Sequence, residues 1–305
     1  MTPSQDTGRR PAAGDDTLRH ASPGAGPRAG TAREALPLAG RVVVVTGVSR
    51  RAGIGHAVAC LAADWGASLL CHHYRPHDEA QPWGADCVEA TMDSVRSHLV
   101  GEAALSHVHA DLREAGEPER VIEAAVERLG GVDALVCNQA SSGRDGRLEE
   151  LSAADLDHHW AVSARASLLL TQAYAARTRR RRGPLAPEPD MPGSVVLMTS
   201  GQDLGPMPEE IAYCTAKAAL AGMTPSLAAG LAERGIRLNT VNPGPVDTGY
   251  MGLMDPGARA ALAARFPGGR LAGPRDPAGL ICWLLTDEAA WVTGQVVNAE
   301  GGFRR

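Results

Sequence analysis

Residues 46–55 read TGVSRRAGIG and directly follow the apolar run RVVVV at 41–45. A β-branched run that breaks into Gly47, Gly53 and Gly55 predicts a buried strand, a sharp turn and a helix starting near Ile54. In that arrangement Gly47 permits the turn, Gly53 lets the backbone approach an anion, and Gly55 lets the helix pack closely on the strand. The free N–H groups of the first helical turn then aim at a phosphate. Five residues separate Gly47 from Gly53, and two of them, Arg50 and Arg51, are cationic. A plain glycine-rich turn would look the same in isolation, so the rest of the chain has to decide.

From Gly40 onward, short apolar runs alternate with helical patterns. The strands fall at 41–46, 67–72, 105–110, 132–137, 194–199, 236–241 and 295–298, the helices near 54–65, 86–99, 117–129, 153–178, 211–233 and 276–285. This alternation predicts an α/β fold, a single-domain Rossmann-type doubly wound sheet of about seven parallel strands covered by helices on both faces. Residues 1–39, rich in Pro, Gly, Ala and charge, have too few large apolar groups to offset the entropy of ordering and are expected to form a flexible tail, leaving 40–305 as the domain. The stretch RTRRRRGPLAPEPDMPG at 177–193 reads as a solvated helix end followed by an exposed loop. The segment 249–275 follows a strand and is expected to cover the ligand crevice as a substrate loop.

Bulk properties narrow the function classes. The formal net charge of −5 gives no basic footprint for nucleic acid, and no apolar stretch approaches the ~20 residues that cross a bilayer. A cytoplasmic location is expected. The six cysteines lack CxxC spacing, and the pairs His72-His73, His107-x-His109 and His158-His159 do not converge with a third ligand, so no metal site is expected. Trp83 and Trp160 read as packing residues.

If the glycine turn holds a dinucleotide, charge near the adenosine ribose selects the cofactor. An acid at the end of the second strand would bind a 2′-hydroxyl, whereas a 2′-phosphate calls for arginine. That strand runs into CHHYRP, with His73, Tyr74 and Arg75 where the acid would stand, and Ser49, Arg50 and Arg51 lie in the glycine turn. NADP(H) is preferred and NAD(H) remains possible; the arginines could also be solvated loop charges.

The chemistry is carried by MTSGQDLGPMPEEIAYCTAKAAL at 198–220, which contains Ser200, Tyr213 and Lys217. Tyr213 and Lys217 are spaced i, i+4 and share one face of a helix. A phenol titrates near ~10, and an adjacent ammonium is expected to lower that value by stabilising phenolate. Ser200 would hydrogen-bond the oxygen of a reacting carbonyl or alcohol and hold it against the phenol.

At this point the chain resembles the short-chain dehydrogenase/reductase family over nearly all of 40–303. TGVSRRAGIG is similar to the family's glycine motif with two additional residues, and ADL at 110–112 to its adenine pocket, with Asp111 and Leu112. CNQA at 137–140 takes the place of Asn-Asn-Ala-Gly; Ser200 precedes Tyr213 by the family's interval, and YCTAK supplies Tyr-x-x-x-Lys. NPGPVDT at 242–248 resembles the segment that embraces the nicotinamide, and TGQVVNAEGG at 293–302 the last strand and its turn. The resemblance implies a dissociable NAD(P)(H) hydride carrier, a small-molecule carbonyl or alcohol substrate, and a homotetramer or homodimer. It implies that Tyr213 exchanges the proton, Lys217 tunes it and holds the nicotinamide ribose, Asn138 sits beside the adenosine ribose, and Pro243, Gly244, Val246 and Thr248 flank the nicotinamide.

Two departures stand out. Ser163 occupies the place of the family's fourth catalytic residue, an Asn that helps hold a relay water, and Gln139 with Ala140 replaces two small residues in the floor of the cofactor site. A 3-oxoacyl thioester reductase is the default subtype by analogy of fold, a tailoring ketoreductase of secondary metabolism its rival. A cofactor-binding homologue without turnover, serving as a sensor or structural subunit, is the reading from another class.

Overall fold

The computed structural model describes residues 36–178 and 193–305. The N-terminal tail therefore lies outside the described residues up to residue 35, as does most of the basic, proline-rich loop. The end of the expected tail is part of the fold: Leu38 is fully buried and its N–H donates to Trp65 O at 2.9 Å, so the domain begins before Gly40.

Seven parallel strands form one sheet in the order β3-β2-β1-β4-β5-β6-β7. They are β1 (Val42–Val45), β2 (Ser68–His73), β3 (Leu105–His109), β4 (Ala134–Cys137), β5 (Gly193–Met198), β6 (Ile236–Asn242) and β7 (Val296–Asn298). Every side chain of β1 is buried, which explains why VVVV shows no alternation: both faces of a central parallel strand meet helices. Odd and even positions feed different cores. Val43 and Val45 join Leu69, Val58 and Ile281 on one face, while Val44 joins Leu70, Ile122 and Leu170 on the other.

The first face is covered by α1 (Ile54–Asp64), α3 (Val88–Arg96) and α9 (Arg275–Leu284). The second carries α4 (Glu117–Leu129), α6 (Ala166–Arg177) and α7 (Ile211–Ala232). Two short helices, α2 (Arg75–Glu79) and α8 (Pro256–Ala264), interrupt stretches that read as loops. The single helix expected over 153–178 is divided: α5 (Ala153–His159) passes through a π turn at Trp160–Arg165 before α6 begins. Sequence order reverses between β1 and β4, so the ligand crevice of this topology opens at their carboxyl ends. Among the described residues no helix is long and apolar enough to cross a membrane.

Candidate active site

The turn after β1 is braced from its neighbour strand. Thr46 N–H donates to Val136 O at 3.0 Å, and its hydroxyl accepts from Asn138 N–H at 2.9 Å. Asn138 Nδ2 donates to Thr46 O and Gly47 O at 3.0 and 3.3 Å. Gly47 has a φ of +71°, and a side chain there would meet Asn138 Nδ2 at 2.8 Å. A Cβ on Gly55 would approach Gly47 O to 2.5 Å, so this glycine is a packing requirement rather than part of the cleft wall.

Above these residues lies a cavity of about 680 Å³ that runs from the loops after β2 and β3 to the loops after β5 and β6. Gly47, Ser49, Arg50, Gly53 and Ile54 line it from the glycine turn, Tyr74, Asp111 and Leu112 from one end, and Asn138 from the middle. Ser200, Tyr213, Lys217, Pro243, Gly244, Val246 and Thr248 line the other end. Besides Gly55, four of the expected residues lie elsewhere. His73 points into the opposite face of β2, where its Nε2 meets His107 Nδ1 at 3.1 Å; His72, one residue earlier, faces the cleft and bonds Ala110 O at 2.9 Å. A one-residue step along a strand changes face, which is why CHHYRP alone could not distinguish them. Arg51 turns outward to Asp86 at 3.5 Å, and Arg75 pairs with Glu79 at 3.1 Å along α2.

Ser163 is the fourth. Its hydroxyl is fully buried in the π turn, without a hydrogen-bond partner among the described residues, and the neighbouring Val162 lines the cleft instead. Gln139 explains the turn. Its Nε2 donates to Val162 O at 3.1 Å and Ser167 Oγ at 3.0 Å, while its Oε1 accepts from Thr46 Oγ1 at 2.5 Å. The residue read as reshaping the cofactor floor thus ties the glycine turn to the Val162 carbonyl in the π turn and to the Ser167 hydroxyl beyond it.

Tyr213 stands in the first turn of α7, which Asp145 anchors from the loop after β4 by accepting the N–H groups of Ala212 and Tyr213, both at 2.8 Å. Lys217, one turn on, lies 5.6 Å from the Tyr213 ring centroid. Its Nζ donates to Met198 O at 2.8 Å. Burial pushes Tyr213 up to about 12, against a hydrogen bond from Ser200, and pushes Lys217 down to about 8. The lowered phenol expected from the Tyr-Lys spacing is not what the protein groups alone give: desolvation outweighs the hydrogen bond from Ser200.

At the other end, burial would raise Asp111, but hydrogen bonds from the Arg113 guanidinium and N–H hold it at about 2. Arg113 also bonds Tyr74 Oη at 3.2 Å and lies 5.9 Å from that ring's centroid. Nothing in ADL pointed to the arginine two positions later. The charges of the substrate loop are tied locally. Asp255 caps α8, Arg259 meets Asp247 at 2.7 Å, Arg265 lies over Phe303 at 4.6 Å, and Arg270 meets Asp276 at 2.6 Å. From this loop Tyr250 reaches the cleft, while Phe266 packs on Phe303 beneath.

The model of a family described as enoyl-(acyl carrier protein) reductase matches residues 47–304. The chain belongs to the short-chain dehydrogenase/reductase family. An uncharacterized oxidoreductase of Bacillus subtilis (strain 168) is 34% identical over 268 residues, which cover 87% of this chain and 97% of that protein. The 3-oxoacyl-[acyl-carrier-protein] reductase FabG of Thermotoga maritima is 29% identical and is covered to 99%, with 88% of this chain aligned. Among solved structures, a dehydrogenase/reductase from Sinorhizobium meliloti 1021 superposes with a TM-score of 0.73 at 32% identity, covering 88% of this chain and 96% of its own. The promiscuous reductase LugOII, which catalyses keto-reduction at C1 during lugdunomycin biosynthesis, gives a TM-score of 0.73 at 31% identity, covering 87% and 98%. The protein is thus an oxidoreductase of this family, and the family uses NAD(P).

The site fits such a group. Gly47 and Gly53 leave bare backbone facing the cavity, which extends from the loops after β2 and β3 to those after β5 and β6. Among the described residues that line it, Arg50, Arg113, Arg144 and Lys217 outnumber the carboxylates Asp78 and Asp111, as a polyanionic cofactor requires.

Proposed function

We propose that this short-chain dehydrogenase/reductase is an NADP(H)-dependent ketoreductase that interconverts a ketone and a secondary alcohol, with Tyr213 as the general acid and base. The observation that carries this reading is the convergence of Ser200, Tyr213 and Lys217 on the cleft that the glycine turn opens. When bound, the nicotinamide supplies the hydride that adds to the carbonyl carbon. Ser200 holds the carbonyl oxygen, Tyr213 passes its phenolic proton to that oxygen, and Lys217 stabilises the phenolate left behind. The convergence speaks against a binding homologue without turnover.

The preference for the 2′-phosphate rests on the adenosine end. Tyr74 stands where an acid would accept the 2′-hydroxyl, and the carboxylates in the cleft are already engaged, Asp78 by Arg50 and Asp111 by Arg113. Arg113 takes the place that sequence reasoning gave to Arg50 and Arg51. The substrate is a ketone without an anionic group that needs a fixed clamp, since the arginines of the substrate loop are occupied. The relatives suggest two classes, 3-oxoacyl thioesters and ketones of a biosynthetic pathway such as that of lugdunomycin. Purified protein mixed with NADPH or NADH and both ketone classes, followed by nicotinamide absorbance, tests the reading. Consumption with at least one ketone and a lower KM for NADPH is expected; no consumption with any ketone would overturn it.

A further inference from the structure

The lengthened glycine turn places Arg50 among three other segments, those of Asp78, Trp83 and Thr248. Its Nε pairs with Asp78 Oδ1 at 2.9 Å, and its Nη1 donates to Thr248 O at 2.8 Å. The guanidinium carbon lies 5.1 Å from the Trp83 ring centroid, and that ring tilts against Tyr250 at 6.3 Å. The pair is sheltered, with side-chain exposures of 16% for Arg50 and 10% for Asp78. Gly249, at a φ of +103°, gives the guanidinium room: a Cβ there would sit 3.4 Å from Nη1.

We propose that Arg50 is a positioning residue, a latch that fixes the Thr248–Tyr250 segment over the reacting end of the cleft, and not a ligand of the 2′-phosphate. Three features of the site carry this. Thr248 and Tyr250 come from the loop after β6, and Tyr250 is near enough to Tyr213 to act on its charge, whereas Asp111 and Arg113 follow β3 at the far edge of the sheet. Arg50 is held from three sides: a carboxylate, a carbonyl and an aromatic face take its charge and two of its five donors. A main-chain carbonyl as acceptor makes the contact independent of the side chain at 248 and fixes backbone, which is what holding a loop requires. The two additional residues of TGVSRRAGIG extend the turn that carries this arginine toward the loop after β6. The inference rests on the dinucleotide reading of the cleft and adds the element that orders its reacting end.

The two roles separate by ligand fragment. Arg50→Met, and Arg50→Met combined with Asp78→Asn so that no buried carboxylate is left unpaired, are compared with the parent protein. Binding of NADPH, NADH and 2′,5′-ADP is measured by titration calorimetry. The latch predicts that NADPH and NADH weaken by the same factor, about tenfold for a lost charge-assisted hydrogen bond, while 2′,5′-ADP binds as to the parent. KM for the ketone rises and cofactor-dependent quenching of Trp83 emission, taken as the difference from a Trp83→Phe protein, diminishes. Weaker 2′,5′-ADP and NADPH with unchanged NADH would assign Arg50 to the 2′-phosphate and overturn the latch. Unchanged affinity for all three overturns it too. A parent protein that binds NADH but not 2′,5′-ADP instead refutes the NADP(H) preference and leaves the latch to stand on the NADH result. A parent that binds none of the three refutes the cofactor reading and the latch together.

Discussion

Tyr213 and Lys217 titrate away from their ordinary values in opposite senses for one reason, burial of a charged form. With Tyr213 raised to about 12, the phenol is protonated throughout the neutral range, as the proposed donor to a ketone has to be. Lys217, lowered to about 8, carries its charge below that pH and loses it above, and with it the stabilisation of phenolate. The rate of ketone reduction is therefore expected to hold steady up to about pH 8 and to fall as pH rises further, measured as kcat/KM against pH. A rate that climbs through this range would contradict the assignment. At the adenosine end, Arg113→Ala is expected to weaken NADPH about tenfold and NADH little, read by titration of both; equal losses would place the 2′-phosphate elsewhere. Individual residues were legible where chemistry constrains their spacing. Ser200, Tyr213 and Lys217 announced themselves by type and interval, whereas His72 was mistaken for His73 because two adjacent histidines at a strand end carry no mark of which face each takes. Arg113 and Asp78 gave no signal at all, since their importance arises from contacts across the sheet's loops.

The helices show where pattern reading succeeds and where tertiary context overrides it. α7 was legible over 211–233 although Pro225 lies within it, a residue that removes one ladder donor. The helix persists because its flank is pinned: Thr224 Oγ1 donates to Leu220 O at 2.8 Å and meets Thr240 Oγ1 at 2.5 Å. Its first turn depends on Asp145, a residue distant in sequence that accepts two of the N–H groups a helix start leaves unpaired. Asp145→Ala is expected to cost about 1–2 kcal/mol of stability and to lower activity by loosening Tyr213, read as a shift in chemical denaturation beside kcat. A variant as stable and active as the parent would show that α7 needs no such anchor. The π turn at Trp160–Arg165 was not legible. It depends on Gln139 reaching across from the loop after β4, and hydrophobic periodicity cannot register one carbonyl displaced by a partner far along the chain.

At the scale of the molecule, alternation of apolar runs and helical patterns was enough for the seven-stranded sheet, because burial on both faces leaves the central strands β1 (VVVV) and β4 (ALVC) as uninterrupted apolar segments. The segment read as a substrate loop carries a capped helix of its own, since a proline after Asp255 supplied a helix start that its alanine-rich sequence then sustains. Self-association is expected from the outer edge of the sheet, where β7 is partly open and Trp291 is 99% exposed. Light scattering on a sizing column should return a dimer or tetramer; a monomer at micromolar concentration would refute this. The central claim is that one cleft joins a dinucleotide turn to a tyrosine acid, and a single substitution addresses it. In a Tyr213→Phe protein, NADPH binding should match the parent while kcat for ketone reduction falls by about 10²–10⁴-fold. Turnover at the parent rate would contradict the account.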